Sequence, residues 1–131
     1  MSEARTGMRS TLGRVRGLGS SHHGVGHWWA QRLTAVALVP LVLWFVVSAL
    51  SMVGADYETF RAWVGSFGNA VLLILLTIAL FHHAQLGIQV VIEDYVHGET
   101  VKVTGLILTK FVAVLAGVST VLAILKVAIA G

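Results

Sequence analysis

Cysteine is absent from this 131-residue chain, proline occurs once, and charged residues make up only 11% of it. Without a thiol the chain cannot form a disulfide, build a thiolate zinc site, hold an iron–sulfur cluster by itself or use a cysteine nucleophile. The shortage of charge comes with 56% hydrophobic residues and a mean hydropathy of +0.85. That balance excludes a disordered protein and argues against a water-soluble domain, where about 25% charged residues is usual. Nine Lys and Arg against six Asp and Glu give a net charge of +3. Arg5, Arg9, Arg14 and Arg16 lie near the beginning and the other basic residues are scattered, so no basic stripe forms and no nucleic-acid partner is expected.

What the chain does contain is apolar sequence in long uninterrupted runs. Leu33 to Ala55 carries no formal charge, Ala62 to Ile92 carries none beyond His82 and His83, and Val103 to Gly131 carries only Lys110 and Lys126. A hydrocarbon core about 30 Å thick takes roughly 20 residues of helix at about 1.5 Å each. The runs therefore predict an all-α membrane protein with three transmembrane helices, at about 32–54, 68–92 and 104–128. Lys110 and Lys126 fall near the ends of the third span, within reach of the headgroups. Pro40 is expected to kink the first helix without ending it. Residues 1–27, rich in Gly, Ser and Arg, read as a flexible tail and approach segment, and 28–131 as the anchor domain. Val53-Gly-Ala55 has the character of a signal-peptidase site, but the 23-residue run and its 32-residue lead suit a retained helix.

Arg5, Arg9, Arg14, Arg16 and Arg32 precede the first span, whereas the following loop holds Asp56, Glu58 and one basic residue, Arg61. The positive-inside bias puts the N-terminus in the cytoplasm and, with three spans, the C-terminus on the opposite side. Ala113 and Gly117 form a small-xxx-small pair suited to helix contact on the third span.

Ionisable residues deep in a membrane are costly and mark functional sites. His83 lies ten residues before Glu93, about 15 Å along the axis and close to the midplane. From the residues alone it is open to three roles: a helix-packing hydrogen bonder, a proton relay or a ligand to haem iron. Asp94 follows it by eleven residues, which returns to within about 20° of the same helix face, while Tyr95 turns away by about 120°. These two are either an interfacial anchor beside a solvated loop or a phenol and carboxylate serving a lipid-soluble ligand. Neither the first span nor the third contains a histidine to oppose His83, so a bis-histidine haem would need a second chain. Gly26-His27-Trp28-Trp29-Ala30-Gln31-Arg32 opens the first helix either as an interfacial belt or as a site where Arg32 and His27 meet an anionic cofactor edge or a quinone headgroup. His22, His23 and His27 lack a carboxylate partner, and no metal cluster is expected there.

At these residues the chain resembles the hydrophobic membrane anchor subunit of succinate dehydrogenase, the smaller of that complex's two anchors. The resemblance is carried by His83-Ala-Gln-Leu-Gly87-Ile-Gln-Val-Val-Ile-Glu-Asp94-Tyr95-Val-His97, similar to the family's H-x-x-x-G followed by D-Y, and by His27-Trp-Trp-Ala-Gln31-Arg32-Leu-Thr34-Ala35. It implies that His83 is one axial ligand of a b-type haem shared with the larger, cytochrome b-type anchor. The eleven-residue step to Asp94 selects His83 over His82. It further implies that Tyr95 hydrogen-bonds a ubiquinone carbonyl with Asp94 beside it, and that Arg32, with His27, lies near the haem propionates. FAD and the iron–sulfur clusters would then be held by the flavoprotein and iron–sulfur subunits. This chain would be a non-flavin membrane subunit of a succinate:quinone oxidoreductase, not catalytic alone, in a bacterial inner membrane rather than a mitochondrial one. The rivals are the anchor of a fumarate reductase, a small helical transporter that uses its histidines as a proton path, and a haem-free assembly subunit.

Overall fold

The computed structural model describes residues 22–130, and within them the chain is helical almost throughout. Helix α1 spans His22–Ser51, α2 Tyr57–Gly65, α3 Phe67–Tyr95 and α4 Glu99–Leu125, and a π-helical turn over Lys126–Ala130 extends α4. Three of these are long and apolar enough to cross a membrane: Val25–Ser51, Phe67–Tyr95 and Glu99–Ile129. Hydrocarbon offers no water to unpaired N–H and C=O groups, so a spanning segment keeps its hydrogen bonds inside the helix. The third span accordingly carries on past Leu125 with a π turn.

The helix ends differ from the expected ones for local reasons. Residues 22–27, read from the sequence as the last part of a tail, are already helical. The cost of Gly24 and Gly26 there is about 1 kcal/mol each, less than that of exposing backbone at a membrane boundary. The first span stops at Ser51 rather than 54: Met52 N–H is shared between the carbonyls of Ser48 and Ala49, each at 3.1 Å, and Gly54 takes φ +82°, which glycine adopts without strain. α3 runs three residues past the expected 92 and takes Glu93, Asp94 and Tyr95 into its last turn. α4 begins at Glu99, before the expected 104, so Lys110 lies eleven residues inside it, about 16 Å along the axis, and not near an end. Pro40 sits within an unbroken α1. The tail arginines Arg5 to Arg16 lie outside the described residues.

The short α2 was not anticipated. Asp56 caps it, its carboxylate accepting the Thr59 N–H at 2.9 Å. Hydrogen bonding from the Thr59 side chain, and next from this N–H, favours the ionised form and holds the Asp56 carboxyl below its ordinary value. Trp63 of α2 stacks on Trp44 of α1 with ring centroids 5.7 Å apart, Asn69 donates to the Trp63 carbonyl at 2.9 Å, and Gly65 brings its backbone close to the Ala128 carbonyl. α2 thereby ties together the far ends of all three spans.

α3 is the central helix, packed against α1 on one side and α4 on the other. Leu73, Leu76, Thr77, Ala79 and Leu86 of α3, with Val64 of α2, are the buried core among the described residues. Facing α3, α4 sets small side chains every fourth position: Gly105 against Ile92, then Thr109 and Ala113, and Gly117 against Phe81. Close approach suits association in lipid, where packing drives helix contact more than the hydrophobic effect does. Outward positions such as Val36, Leu43 and Val47 of α1 and Phe111 and Leu115 of α4 are more than 60% exposed. So continuous an apolar surface is a lipid or partner surface.

Candidate functional site

α1 and α3 run antiparallel, and the level of their contact follows from counting along each. Thr34 lies twelve residues from the start of α1 and His83 twelve residues from the end of α3, each about 18 Å in from the same side. At that shared level Thr34 Oγ1 and His83 Nδ1 are 3.0 Å apart, a hydrogen bond between two spans near mid-membrane. Both side chains are half-buried. With Nδ1 engaged, Nε2 is the ring nitrogen left for another partner.

Between this pair and the membrane surface the two helices part to form a groove of about 810 Å³. His27, Trp28, Gln31 and Arg32 line it from α1, and Leu86, Gly87, Gln89, Val90 and Glu93 from α3. Gly87 stands one turn above His83, and a side chain there would meet nothing within 4 Å, so the groove is open at that point. Arg32 lies over the Trp28 ring at 5.3 Å, a cation–π contact that holds the guanidinium at the groove without neutralising it. The Gln31 Oε1 is buried and has no hydrogen-bond partner among the described residues. A buried acceptor without a donor costs about 1–3 kcal/mol, so the groove calls for a ligand or partner chain that brings one.

Of the residues singled out in the sequence, the structure brings His27 and Arg32 together in the groove above His83. Asp94 and Tyr95 occupy the last turn of α3, exposed and outside the groove lining, Tyr95 at 76%. Gln89 and Glu93, which carried no weight in the sequence, line the groove instead. They continue a ladder in which Gln85 Nε2 donates to Gln89 Oε1 and Gln89 Nε2 to Glu93 Oε1, each at 3.1 Å. Their spacing of four was readable as one helix stripe. Thr34 and Gln31 stand in the entry segment that carries the resemblance, but no spacing gave either a role. His82 faces away from the Thr34 side, into a cavity of about 570 Å³ between α3 and α4 that Gln85 and Lys110 also line.

A haem needs a neutral imidazole nitrogen with its lone pair free, room beside it, and cationic groups near the polar edge. His83 Nε2, the gap at Gly87 and Arg32 at the surface end fit those needs. Past His27, α1 has no histidine, methionine or cysteine, and α4 has none at all. No group of three or more His, Cys, Asp and Glu side chains suited to a metal ion converges among the described residues. This chain can therefore supply one face of such a site.

Fold and groove together define a small helical membrane protein with three spans and an open, partly polar groove between two of them. The chain belongs to the family described as succinate dehydrogenase/fumarate reductase transmembrane subunit, whose model matches residues 6–124. It is 31% identical over 116 residues to the succinate dehydrogenase hydrophobic membrane anchor subunit of Rickettsia bellii, covering 88% of this chain and 93% of that one. It is 34% identical over 88 residues to the Paracoccus denitrificans subunit of the same name, covering 67% and 68%. It is 29% identical over 94 residues to the succinate dehydrogenase membrane anchor subunit of Reclinomonas americana, covering 70% and 78%. No solved structure matches the chain.

Proposed function

We propose that this chain is the smaller membrane anchor of a succinate:quinone oxidoreductase, giving one axial ligand to a b-type haem and part of a ubiquinone site. The observation that carries the reading is the His83–Thr34 pair, which leaves Nε2 free beneath an open groove with Arg32 at its surface end. The relatives' names support membership of a succinate dehydrogenase; to this the proposal adds flavoprotein and iron–sulfur subunits outside the membrane and a larger cytochrome b-type anchor that brings the other haem ligand. We set the N-terminus in the cytoplasm of a bacterial cell, with the multi-pass domain in the inner membrane, because the arginines precede α1 while Asp56 and Glu58 cap and open α2 on the other side.

Each residue then has a task its position supports. His83 gives its Nε2 lone pair to iron, and Arg32, with His27, pairs with carboxylates at the polar edge. Bound haem supplies an iron centre that takes up and returns one electron. Tyr95, its phenol turned to the outside, donates a hydrogen bond to a quinone carbonyl oxygen. Asp94, exposed to water at the same surface, takes up protons and hands them to the reduced oxygens. Two electrons from succinate, oxidised on a partner subunit, and two protons taken up from water through Asp94 convert quinone to quinol.

The test is a dithionite-reduced minus oxidised visible spectrum of the complex purified from membranes. His83→Ala abolishes or shifts the b-type bands, and His82→Ala leaves them in place. Unchanged bands in the His83 variant would assign the ligand elsewhere, and a preparation with neither haem bands nor co-purifying flavoprotein would refute the whole reading.

A further inference from the structure

A hydroxyl carries one hydrogen and two lone pairs, and Thr34 has three polar neighbours competing for them. Its Oγ1 is 2.7 Å from the Ala30 carbonyl oxygen, 3.1 Å from that of Gln31 and 3.0 Å from His83 Nδ1. Carbonyl oxygens only accept. If the hydroxyl gave its hydrogen to Nδ1, two oxygen–oxygen contacts, one as short as 2.7 Å, would be left with no hydrogen between them. If it gives its hydrogen to Ala30 and shares it with Gln31 at the longer 3.1 Å, both carbonyl contacts are accounted for and Thr34 Oγ1 accepts from His83. The geometry points to His83 as the Nδ1–H tautomer, held there by Thr34, which acts as a positioning residue for the ligand nitrogen Nε2.

Two consequences follow. The ring cannot flip to present Nδ1 without breaking a hydrogen bond near mid-membrane, where water offers no replacement. The N–H also donates to an oxygen whose own hydrogen is drawn towards Ala30, a polarised chain that makes the imidazole a stronger electron donor at Nε2. A stronger donor favours ferric over ferrous iron, so Thr34 lowers the haem midpoint potential. This inference rests on His83 as the ligand and adds a residue on a different helix that sets how the ligand behaves.

The experiment uses the whole complex in membranes carrying Thr34→Val, Thr34→Ala or Thr34→Ser, with His83→Ala as the reference. Haem content, midpoint potential by redox titration and the electron paramagnetic resonance of the ferric haem are measured. Valine keeps the shape and alanine adds no bulk, yet both remove the acceptor. Both are expected to weaken haem retention by about 10–100-fold, the range for lost support of a metal-bound histidine, or to raise the potential of the haem that stays. Each tenfold loss of ferric relative to ferrous affinity reads as about 59 mV. Serine keeps the hydroxyl and restores the wild-type values. Wild-type potential and ferric spectrum in both Val and Ala variants, while His83→Ala loses its bands, would overturn the role of Thr34 and leave the ligand standing. A serine variant as impaired as valine would also overturn it, because the methyl group and not the hydroxyl would be what matters. Unchanged bands in His83→Ala would overturn the ligand itself.

Discussion

Replacing Tyr95 by phenylalanine removes one hydroxyl and nothing that holds this chain together. The side chain is 76% exposed, makes no hydrogen bond among the described residues and follows the last buried position of α3, Leu86, by nine residues. The substitution is therefore expected to leave stability within about 0.5 kcal/mol, as for surface changes in general. A hydrogen bond from the phenol to a quinone carbonyl is worth about 0.5–1.5 kcal/mol net, which converts to roughly a 2- to 12-fold loss in kcat/KM for quinone. The measurement is a paired assay on the same membranes: succinate to ubiquinone analogue, and succinate to an artificial dye that takes electrons before the membrane subunits. Quinone reduction falls by that factor and dye reduction does not change. Equal loss of both would mean that the variant disturbs assembly, and no loss of either would remove Tyr95 from the quinone site. A fall well beyond 12-fold in the quinone assay alone would show that the phenol passes a proton as well as binding.

Other outcomes follow from packing and capping. Gly117→Ala is expected to be tolerated, since the added Cβ meets Phe81 at an ordinary 3.8 Å, whereas Gly117→Leu overpacks the α3–α4 contact by about 1–3 kcal/mol and lowers the yield of assembled complex; normal assembly of the Leu variant would place that contact elsewhere. Asp56→Ala removes the cap of α2 and raises amide exchange over residues 57–65 at neutral pH. Because the Asp56 carboxyl is held below its ordinary value of 3.8, chiefly by the hydrogen bonds from Thr59, its contribution is complete above that value and lost as pH falls through the lower folded one. Wild-type protection in α2 should therefore decline only in acid, towards that of the variant, and equal protection at neutral pH would show the cap to be idle.

Lengths and absences carried most of the architecture. Two uncharged runs and a third holding only two lysines, all of spanning length, pointed to three membrane helices, and the lack of any other ionisable residue deep in the second run made His82 and His83 stand out. Helix ends were less legible, because they depend on single groups: a shared hydrogen bond at Met52, a left-handed Gly54 and the Asp56 cap set where α1 stops and α2 begins. The depth of Lys110 differs from the expected one for the same reason, since it is counted from a helix start that Glu99 sets. Thr34 was invisible as a functional residue. A threonine in an apolar run has no spacing signature, and its contact with His83 exists only once α1 and α3 lie antiparallel with the two residues at the same level.

The doubled histidine shows how a central helix sorts residues that the sequence leaves equivalent. His82 and His83 differ by one position, so they point about 100° apart around α3. Because α3 has α1 on one flank and α4 on the other, that rotation sends the two rings to different neighbours. His83 meets a hydroxyl that can take its Nδ1 hydrogen, beneath a groove ending at Arg32. His82 meets the α4 side, where Gln85, Lys110, Ala113 and Gly117 line the cavity with it. A lysine at the helix centre costs about 2.5–3.5 kcal/mol facing lipid, and Lys110 is exposed within this chain. The α4 face is therefore stable only where that ammonium reaches headgroups or is covered by another subunit. The eleven-residue step from His83 to Asp94 and the Thr34 hydrogen bond are independent constraints, one along a single helix and the other between two. The proposed ligand role of His83, and not of His82, rests on these two features.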